Sequence, residues 1–215
     1  MLKYMKIFRL VFSPIDVNTY VLADESNDCA IIDCGCYDNS EFDKLVRFIE
    51  SKKLNPVLLL NTHCHLDHIF GNIFIMERYN LKTFSSEDEE KNRKNATQHA
   101  AFFGLTMSDP PEPAGFLSDN QVIAFGTTEL TVLNVPGHSS GSLAFYSEKN
   151  SCVFTGDALF AGSIGRTDLE GGDYEILINS IRNRLFALPP STVVYPGHGG
   201  QTTIDKERMT NPYFS

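Results

Sequence analysis

The sequence predicts an α/β protein of layered type, in which two sheets pack together and helices cover their outer faces. The order of elements is the first reason, since strands, a helix, a strand and a helix are followed by more strands, a helix and a strand. No Gly/Ser-rich linker or change of composition separates the halves, so we expect residues 1–215 to form a single domain. The composition, 42% hydrophobic and 21% charged, is ordinary for a globular protein.

The first three strands follow from side-chain alternation and from turn residues. Residues 4–12 and 17–23 alternate apolar and polar side chains, which predicts a hairpin that turns at Ser13-Pro14. The apolar residues 30–32 predict a third strand, which ends at Asp33.

A helix and a buried strand come next. Ser40 is the predicted N-cap, and Asn55-Pro56 ends the helix. Its apolar stripe has the spacing i, i+3, i+4, i+7 and consists of Phe42, Leu45, Val46 and Ile49. Residues 57–60 are continuously apolar, which is typical of a strand covered on both faces by helices.

The middle of the chain is more polar. Residues 61–67 predict a loop, residues 68–79 a helix, and residues 85–98 a helix on the solvated surface. Phe102 and Phe103 are expected in the core, although they could instead form the roof of a pocket with the proline-rich loop at residues 110–113.

The remaining elements are short strands and one helix. Strands are predicted over residues 121–125, 129–135, 143–146 and 152–155. Asp173 is the predicted N-cap of a last amphipathic helix that carries Leu177, Ile181 and Leu185. Residues 192–195 predict the last strand.

Charge and hydropathy argue against nucleic-acid and membrane partners. The chain has 18 Lys and Arg against 27 Asp and Glu, a net charge of −9, and it lacks a basic stripe that could bind phosphates. Its longest apolar runs fall far short of the ~18 residues of a membrane helix. Residues 1–20 lack the apolar core of a signal peptide, so we expect a cytoplasmic protein.

The five cysteines are an odd number and contain no C-x-x-C pair. We expect them to be small buried hydrophobes in a reducing compartment. The alternative is that Cys34 and Cys36 bind a metal or react, but no four-ligand Cys/His spacing includes them.

Five of the six histidines follow predicted strands. Three of them lie in the segment THCHLDH at residues 62–68, and His138 and His198 each follow a Pro-Gly pair. Asp157 also follows a strand. Because such strand ends lie along one edge of a layered sheet, we expect these side chains to converge there. His99 lies in the polar helical stretch and is expected to have no role.

Imidazoles and carboxylates in this pattern predict a metal site with one or two ions. These are the ligands that zinc and other divalent transition metals take in proteins. His63 and His65, two residues apart in an extended loop, can bind one ion, whereas Asp67 and His68 can face a second. Three or four ligands per ion leave room for water, as in catalytic sites.

These residues resemble the ligand signature of the metallo-β-lactamase-fold hydrolases, over nearly the whole chain from about residue 18. The resemblance implies a four-layer αβ/βα sandwich with two divalent metal ions. It implies that His63, His65 and His138 hold the first ion. It also implies that Asp67, His68 and His198 hold the second, and that Asp157 bridges both. Zinc is expected, and iron or manganese are possible because the ligands accept all three.

Within that superfamily the chain is most similar to the compact bacterial glyoxalase II enzymes, the hydroxyacylglutathione hydrolases. The similarity rests on TGDALFAGSIGRTD at residues 155–168 and YPGHGGQTT at residues 195–203. Larger glyoxalase II enzymes bind glutathione with a C-terminal helical domain, which we expect to be absent here. The resemblance therefore implies hydrolysis of a small hydroxyacyl-thiol thioester but leaves the thiol carrier open.

The implied mechanism is attack on the thioester carbonyl by a hydroxide that bridges the two metals. A leaving thiolate, with a pKa near 8.5, needs no strong general acid, which favours a thioester over a β-lactam. Asp157 and Asp67 are the predicted catalytic residues, and Asp67 is expected to orient the hydroxide as well as to bind metal.

Three further residues are candidates for support or for substrate binding. Asp33 is expected either to orient a ligand or to cap a loop, and Thr62 either to hold the metal loop or simply to end a strand. Arg166 could meet an anionic substrate group, but an ion pair with Asp168 is the preferred interpretation.

Three other functions compete with the hydrolase. A persulfide dioxygenase of the same fold, with a single iron, shares the histidine loop and a Gly-Arg-Thr-Asp stretch like residues 165–168. A metal-dependent nuclease is disfavoured by the negative charge. A metal-binding protein without turnover is disfavoured because the ligand set is complete.

Overall fold

A computed structural model describes residues 5–214 of the chain. Residues 1–4, which enter the predictions for the N-terminus and the first strand, lie outside the described residues, as does residue 215. The structure confirms the four-layer sandwich: two six-stranded sheets face each other, and helices pack on the outer face of each sheet. Within the described part of the chain, none of the helices has both the length and the apolar character needed to span a bilayer.

The strands of the described residues are β1 (Lys6–Phe12), β2 (Val17–Ala23), β3 (Asp28–Ile32), β4 (Asn55–Leu60), β5 (Thr83–Ser85), β6 (Gly115–Phe116), β7 (Val122–Phe125), β8 (Thr128–Asn134), β9 (Leu143–Ser147), β10 (Cys152–Gly156), β11 (Leu159–Phe160), β12 (Ser163–Ile164), β13 (Val193–Pro196) and β14 (Thr202–Thr203). The helices are α1 (Asn39–Ser51), α2 (Leu66–Ile69), α3 (Asn72–Tyr79), α4 (Glu90–Phe102), α5 (Tyr174–Ser180) and α6 (Ile204–Thr210). A short 3-10 turn precedes α4, and a π-helical turn extends α5.

Each sheet combines antiparallel and parallel pairs. The first has the order β1-β2-β3-β4-β5-β6, antiparallel from β1 to β3 and parallel from β3 to β6. The second has the order β14-β13-β10-β9-β8-β7, in which only β10 and β13 are parallel. The parallel pairs β3-β4 and β10-β13 need crossover connections, which contain α1 and α5.

Alternation of side chains along the central strands produces the apolar layers. In β2, Tyr20 and Leu22 face the other sheet, whereas Val21 faces the helices. In β10, Phe154 faces the other sheet and Val153 faces the opposite helices. Both sheets are therefore covered on both faces, which explains why the strand predicted over residues 57–60 is continuously apolar.

Two helix boundaries differ from the predictions. The N-cap of α1 is Asp38 rather than Ser40, because the Asp38 side chain accepts a hydrogen bond of 2.9 Å from the Glu41 backbone N–H. The helix expected over residues 68–79 is divided into α2 and α3. Between them the Gly71 N–H donates to the Cys34 carbonyl at 2.8 Å, and a Cβ on Gly71 would lie only 3.1 Å from that oxygen.

The prediction of a solvated helix over residues 85–98 is wrong for part of that segment. Ser85 ends β5, α4 begins only at Glu90, and the helix buries Asn92 and Ala96. Glu89 and Arg93 of this segment are buried and bind backbone groups of neighbouring loops, so polarity alone did not indicate exposure.

The N-cap at Asp173 is confirmed, since its side chain accepts from the Ile176 N–H at 3.0 Å. The helix that follows is not the last one, and the strand over residues 192–195 is not the last strand, because β14 and α6 come after it. Ile204 of α6 is buried against the outer face of the second sheet. So short a helix contributes too few apolar positions to show a period in the sequence.

Candidate metal centre

The predicted ligands lie in loops that follow four strands, and these loops come together at one place. The segment of residues 61–68 follows β4, whereas His138, Asp157 and His198 follow β8, β10 and β13. These strands belong to both sheets, so the site lies where the two sheets meet along one edge. A bridge between Val17 and His198 ties the two sheets together at this edge.

Seven side chains form three overlapping groups whose ligand atoms lie within 4.8 Å of one another. The groups are His63, His65 and His138; His63, His68 and Asp157; and Asp67, His68 and His198. All seven predicted ligands are thus brought together. His99 belongs to none of these groups.

The first group is a cluster of imidazole nitrogens. His138 Nε2 lies 2.9 Å from His65 Nδ1 and 3.2 Å from His63 Nε2. His138 Nδ1 is bonded on its other side, at 2.8 Å, to the Arg166 backbone carbonyl. Because Nδ1 donates to that carbonyl, the Nε2 lone pair faces the other two histidines and is free to bind a cation.

The group of Asp67, His68 and His198 combines imidazoles with a carboxylate. Asp67 Oδ2 lies 3.1 Å from His198 Nε2 and 3.5 Å from His68 Nε2. Asp157 lies between this group and the group of His63, His65 and His138, because its Oδ2 is 3.8 Å from His138 Nε2 and 3.6 Å from His198 Nε2. A single carboxylate therefore faces ligands of both groups.

The residues present fit divalent metal ions. Among the described residues, His68 Nε2 and Asp157 Oδ1 are fully buried polar atoms without a hydrogen-bond partner, and they lie 3.4 Å apart. Buried polar atoms without partners are rare and costly. A cation between these nitrogen and oxygen atoms would satisfy both, and they are the donor types that zinc, iron and manganese accept.

Burial and neighbouring charges set the protonation of the cluster. Burial lowers the pKa of His63 well below its usual value and the pKa of His65 to about 4, and the nearby imidazoles act in the same direction. Burial favours the protonated form of Asp157, but the positive charge of His68 outweighs it, so the pKa of Asp157 falls below its usual range. Neutral imidazoles and an ionised carboxylate are the forms that bind metals.

The neighbouring carboxylates favour the protonated form of His68. Burial disfavours its charged form, yet Asp67, Asp157 and Asp33 together raise the pKa of His68 well above its usual value. The proton on His68 thus compensates part of the negative charge in the cluster, and metal binding would displace it.

Asp33 and Thr62 lie behind the ligands. The Asp33 carboxylate accepts hydrogen bonds from the Thr62 backbone N–H at 2.8 Å and from its hydroxyl at 2.6 Å, and it lies 2.9 Å from His68 Nδ1. This contact turns His68 Nε2 toward the site. Asp33 has a left-handed backbone with φ 53°, which aims its carboxylate at the loop.

Glu89 is a buried residue that the sequence analysis missed. It has no exposed surface, and its carboxylate accepts from the backbone N–H of Cys64 and of Gly141, each at 2.8 Å. It also accepts from Asn92 Nδ2 at 2.9 Å. Cys64 lies between His63 and His65, and Gly141 follows His138 by three residues. One carboxylate therefore joins the two loops that carry the first group of ligands, and only its unexpected burial reveals this.

Two further residues that the sequence did not indicate, Asn18 and Tyr20, hold the loop that carries His198. Asn18 Nδ2 donates to the carbonyls of Pro196 and Gly199 at 2.9 and 3.0 Å, and the Tyr20 hydroxyl donates to the Pro196 carbonyl at 2.7 Å. A Cβ on Gly197 would overlap the Asp157 carboxylate and lie 2.7 Å from His68 Cε1. The second Pro-Gly pair thus allows the loop to approach the ligands closely.

A cavity of about 610 Å³ opens directly onto the site, and five of the seven ligands line it. Phe102 and Phe103, expected in the core, instead line this cavity and are 85% and 55% exposed. The prolines at residues 110–113 belong to a separate small cavity, so they do not form its roof. His99 also lines the cavity.

Arg166 lies at the cavity with its guanidinium already paired. It donates to both carboxylate oxygens of Asp168, at 2.7 and 2.8 Å. The arrangement agrees with the preferred ion-pair interpretation, while the backbone carbonyl of Arg166 holds His138.

Comparisons with known proteins agree on one family. A family model described as the metallo-beta-lactamase superfamily matches residues 13–198. The hydroxyacylglutathione hydrolase GloC of Haemophilus influenzae is 34% identical over 200 residues, which are 92% of each chain.

Solved structures give the same result. The B3 metallo-beta-lactamase BLEG-1 has a TM-score of 0.90 at 31% identity, over 98% of this chain and 100% of that one. TTHA1623 in a di-iron-bound form has a TM-score of 0.87 at 36% identity, over 96% and 99% of the two chains. ETHE1 from Myxococcus xanthus has a TM-score of 0.78 at 27% identity, over 97% and 84%.

Proposed function

The chain belongs to the metallo-beta-lactamase superfamily, and on that premise we propose that it is a metal-dependent thioester hydrolase of the glyoxalase II type. The observation that carries the proposal is the cluster of seven ligands open to a cavity, with Asp157 facing both groups. The similarity to a hydroxyacylglutathione hydrolase along 92% of the chain supports the thioester as the bond that is cleaved.

We assign the ligands to two ions. His63, His65 and His138 would hold the first ion. The second would be held by Asp67, His68 and His198, and Asp157 would contact both. Divalent cations bound there would supply the positive charge that makes water nucleophilic near neutral pH and stabilises the oxyanion of an attacked carbonyl. Zinc, iron and manganese all suit these donors, and TTHA1623 has been solved with two irons.

The chain's own residues orient the reactants. Asp67 lines the cavity, and although its burial opposes ionisation, His68 and His198 lower its pKa, so it stands as a carboxylate. We propose that Asp67 accepts a hydrogen bond from the attacking water and so directs its lone pair at the substrate carbonyl. Asp33, Thr62 and Glu89 hold the ligand loops in place before the substrate arrives.

The leaving group explains why a thioester suits this cavity. A thiolate leaves without protonation, because its conjugate acid has a pKa near 8.5. Among the described residues that line the cavity, His99 and Glu170 are the titratable side chains that are neither metal ligands nor paired with Asp168, and Glu170 is paired with Lys91. An amide nitrogen would need a positioned acid, for which His99 is the remaining side chain, whereas a thioester needs none and so makes the smaller demand on this site.

The second candidate is the persulfide dioxygenase with one iron that the sequence left open. It needs a single ion, whereas the structure offers a second group of ligands in Asp67, His68 and His198. Iron by itself would not decide between the two functions, since TTHA1623 binds two irons. The number of ions and the consumption of oxygen would decide.

The test is turnover of the purified chain with its metal content measured on the same sample. The metal-free protein would be loaded separately with zinc, iron and manganese and assayed on S-lactoylglutathione, on other lactoyl thioesters and on a persulfide. We expect about two ions per chain, release of thiol from a thioester, and no oxygen uptake. One iron per chain with oxygen consumed on the persulfide would establish the second candidate instead. Loss of thioester cleavage on chelation and its return with metal is the required control.

A further inference from the structure

The cavity beside the metal centre has an apolar rim. Ile15, in the turn between β1 and β2, is 48% exposed, and Phe102 and Phe103 at the end of α4 are 85% and 55% exposed. The two phenyl rings lie edge to face with centroids 5.3 Å apart. Apolar side chains that cluster at a cavity mouth lose contact with water only when a ligand covers them.

Three leucines add to the apolar lining of this cavity. Leu66, Leu105 and Leu169 line the same cavity, whose volume of about 610 Å³ is in the range of small-molecule sites. The cavity is therefore lined by aliphatic and aromatic side chains as well as by the predicted metal ligands.

The cavity offers little to a negatively charged ligand. Among the described residues that line it, Arg166 is the sole Arg or Lys, and its Nε and Nη2 already donate to the carboxylate of Asp168. Glu170, which also lines the cavity, is a carboxylate paired with Lys91. Glutathione carries two carboxylates, and anions of this kind are normally bound by free guanidinium or ammonium groups.

We propose that this enzyme, given the thioester hydrolysis proposed above, prefers thioesters that carry an uncharged apolar group over thioesters of glutathione. The apolar group is an alkyl or aryl group on either side of the thioester carbonyl. It packs against Phe102, Phe103 and Ile15 while the carbonyl lies at the metal ligands. Each methylene buried there is expected to raise kcat/KM about threefold to fourfold.

The experiment compares matched substrates on the metal-loaded chain. One series keeps the lactoyl group and changes the thiol from glutathione to N-acetylcysteamine and benzyl mercaptan. The other keeps N-acetylcysteamine and lengthens the acyl group from two to eight carbons. The first series tests an apolar thiol and the second an apolar acyl chain. We expect at least one series to show a tenfold or greater gain in kcat/KM over S-lactoylglutathione.

The rim is tested by the double variant Phe102→Ala/Phe103→Ala. We expect it to lose about tenfold in kcat/KM on the preferred apolar substrate and to stay within about threefold on S-lactoylglutathione, with unchanged metal content. Both side chains are largely exposed, so the variant should fold. Phe116→Ala is the matched control, because Phe116 is an exposed phenylalanine, 43% accessible, that lies outside this cavity.

The outcomes separate the two proposals. If S-lactoylglutathione is the best substrate, and the double variant changes all substrates equally, the apolar preference is overturned while the thioester hydrolase stands. If the metal-loaded chain cleaves no thioester at all, the proposed function fails and the preference fails with it.

Discussion

Replacement of Glu89 by alanine tests how the first group of ligands is held together. The carboxylate accepts two buried backbone N–H groups at 2.8 Å and the Asn92 amide at 2.9 Å, and Glu89 has no exposed surface. Each buried donor left without a partner costs about 1–3 kcal/mol. The two backbone donors therefore account for about 2–6 kcal/mol. Water can enter the vacated space and accept hydrogen bonds from these donors, which reduces the loss of stability. We therefore expect about 3–4 kcal/mol of destabilisation for Glu89→Ala.

The measurement is urea unfolding of the metal-free and metal-loaded protein. For a slope of about 2 kcal/mol per molar, the expected loss lowers the midpoint of the metal-free protein by about 1.5–2 M. Since Cys64 and Gly141 lie in the loops that carry His63, His65 and His138, we also expect the variant to bind metal more weakly. Glu89→Gln keeps one acceptor oxygen and should lose about half as much stability.

The control is Glu87→Ala, which removes the same type of side chain from an exposed position two residues earlier. Its unfolding free energy should change by less than about 0.5 kcal/mol. If Glu89→Ala and Glu87→Ala unfold at the same urea concentration and bind the same amount of metal, Glu89 does not join the two loops energetically, and the reasoning is refuted.

Three further predictions follow from the site and the core. Asp157→Ala should reduce the bound metal to one ion or none and abolish hydrolysis, and a variant that keeps two ions and full activity would contradict the bridging role. Gly197→Ala should lower metal affinity at least tenfold in a chelator competition, because its Cβ would overlap the Asp157 carboxylate, whereas Gly200→Ala, which has open space for a Cβ, should bind metal normally. All five thiols are free and buried, and burial raises the pKa of Cys29 and Cys152 to about 12. They should therefore react with a thiol reagent at pH 8 only after unfolding in urea, and rapid reaction of any thiol in the native protein would show that the described fold opens there.

The fold was largely predictable because its signals are local. The i, i+3, i+4, i+7 stripe of α1 and the apolar run of β4 both report which faces are buried, and the sheet packing follows from that. The predicted helix boundaries were less accurate where two neighbouring residues could each serve as the N-cap. Asp38 and Ser40 are both good N-caps, and the choice between them depends on where the preceding loop leaves the sheet.

The buried polar residues were not predictable from local signals. Glu89 follows two other acidic residues in a stretch that resembles a solvated surface, yet it has no exposed surface because two loops from distant parts of the chain donate to it. Phe102 and Phe103 show the opposite case, since they resemble core residues in the sequence and are exposed at the cavity. In both cases the residue's environment is formed by segments far away in the chain.

The sequence by itself determined the family, the layered fold and the identity of the seven side chains that meet at the site. It did so because ligand chemistry depends on residue type, and because strands place the residues that follow them at one sheet edge. Only the tertiary structure decided which nitrogen of each histidine faces the cluster and which carboxylate faces both groups. It also decided which apolar side chains line the cavity beside the ligands. Those features depend on distances of a few ångströms between loops far apart in the chain, such as those of Asp67 and His198, which are 131 residues apart, and no local pattern encodes such distances.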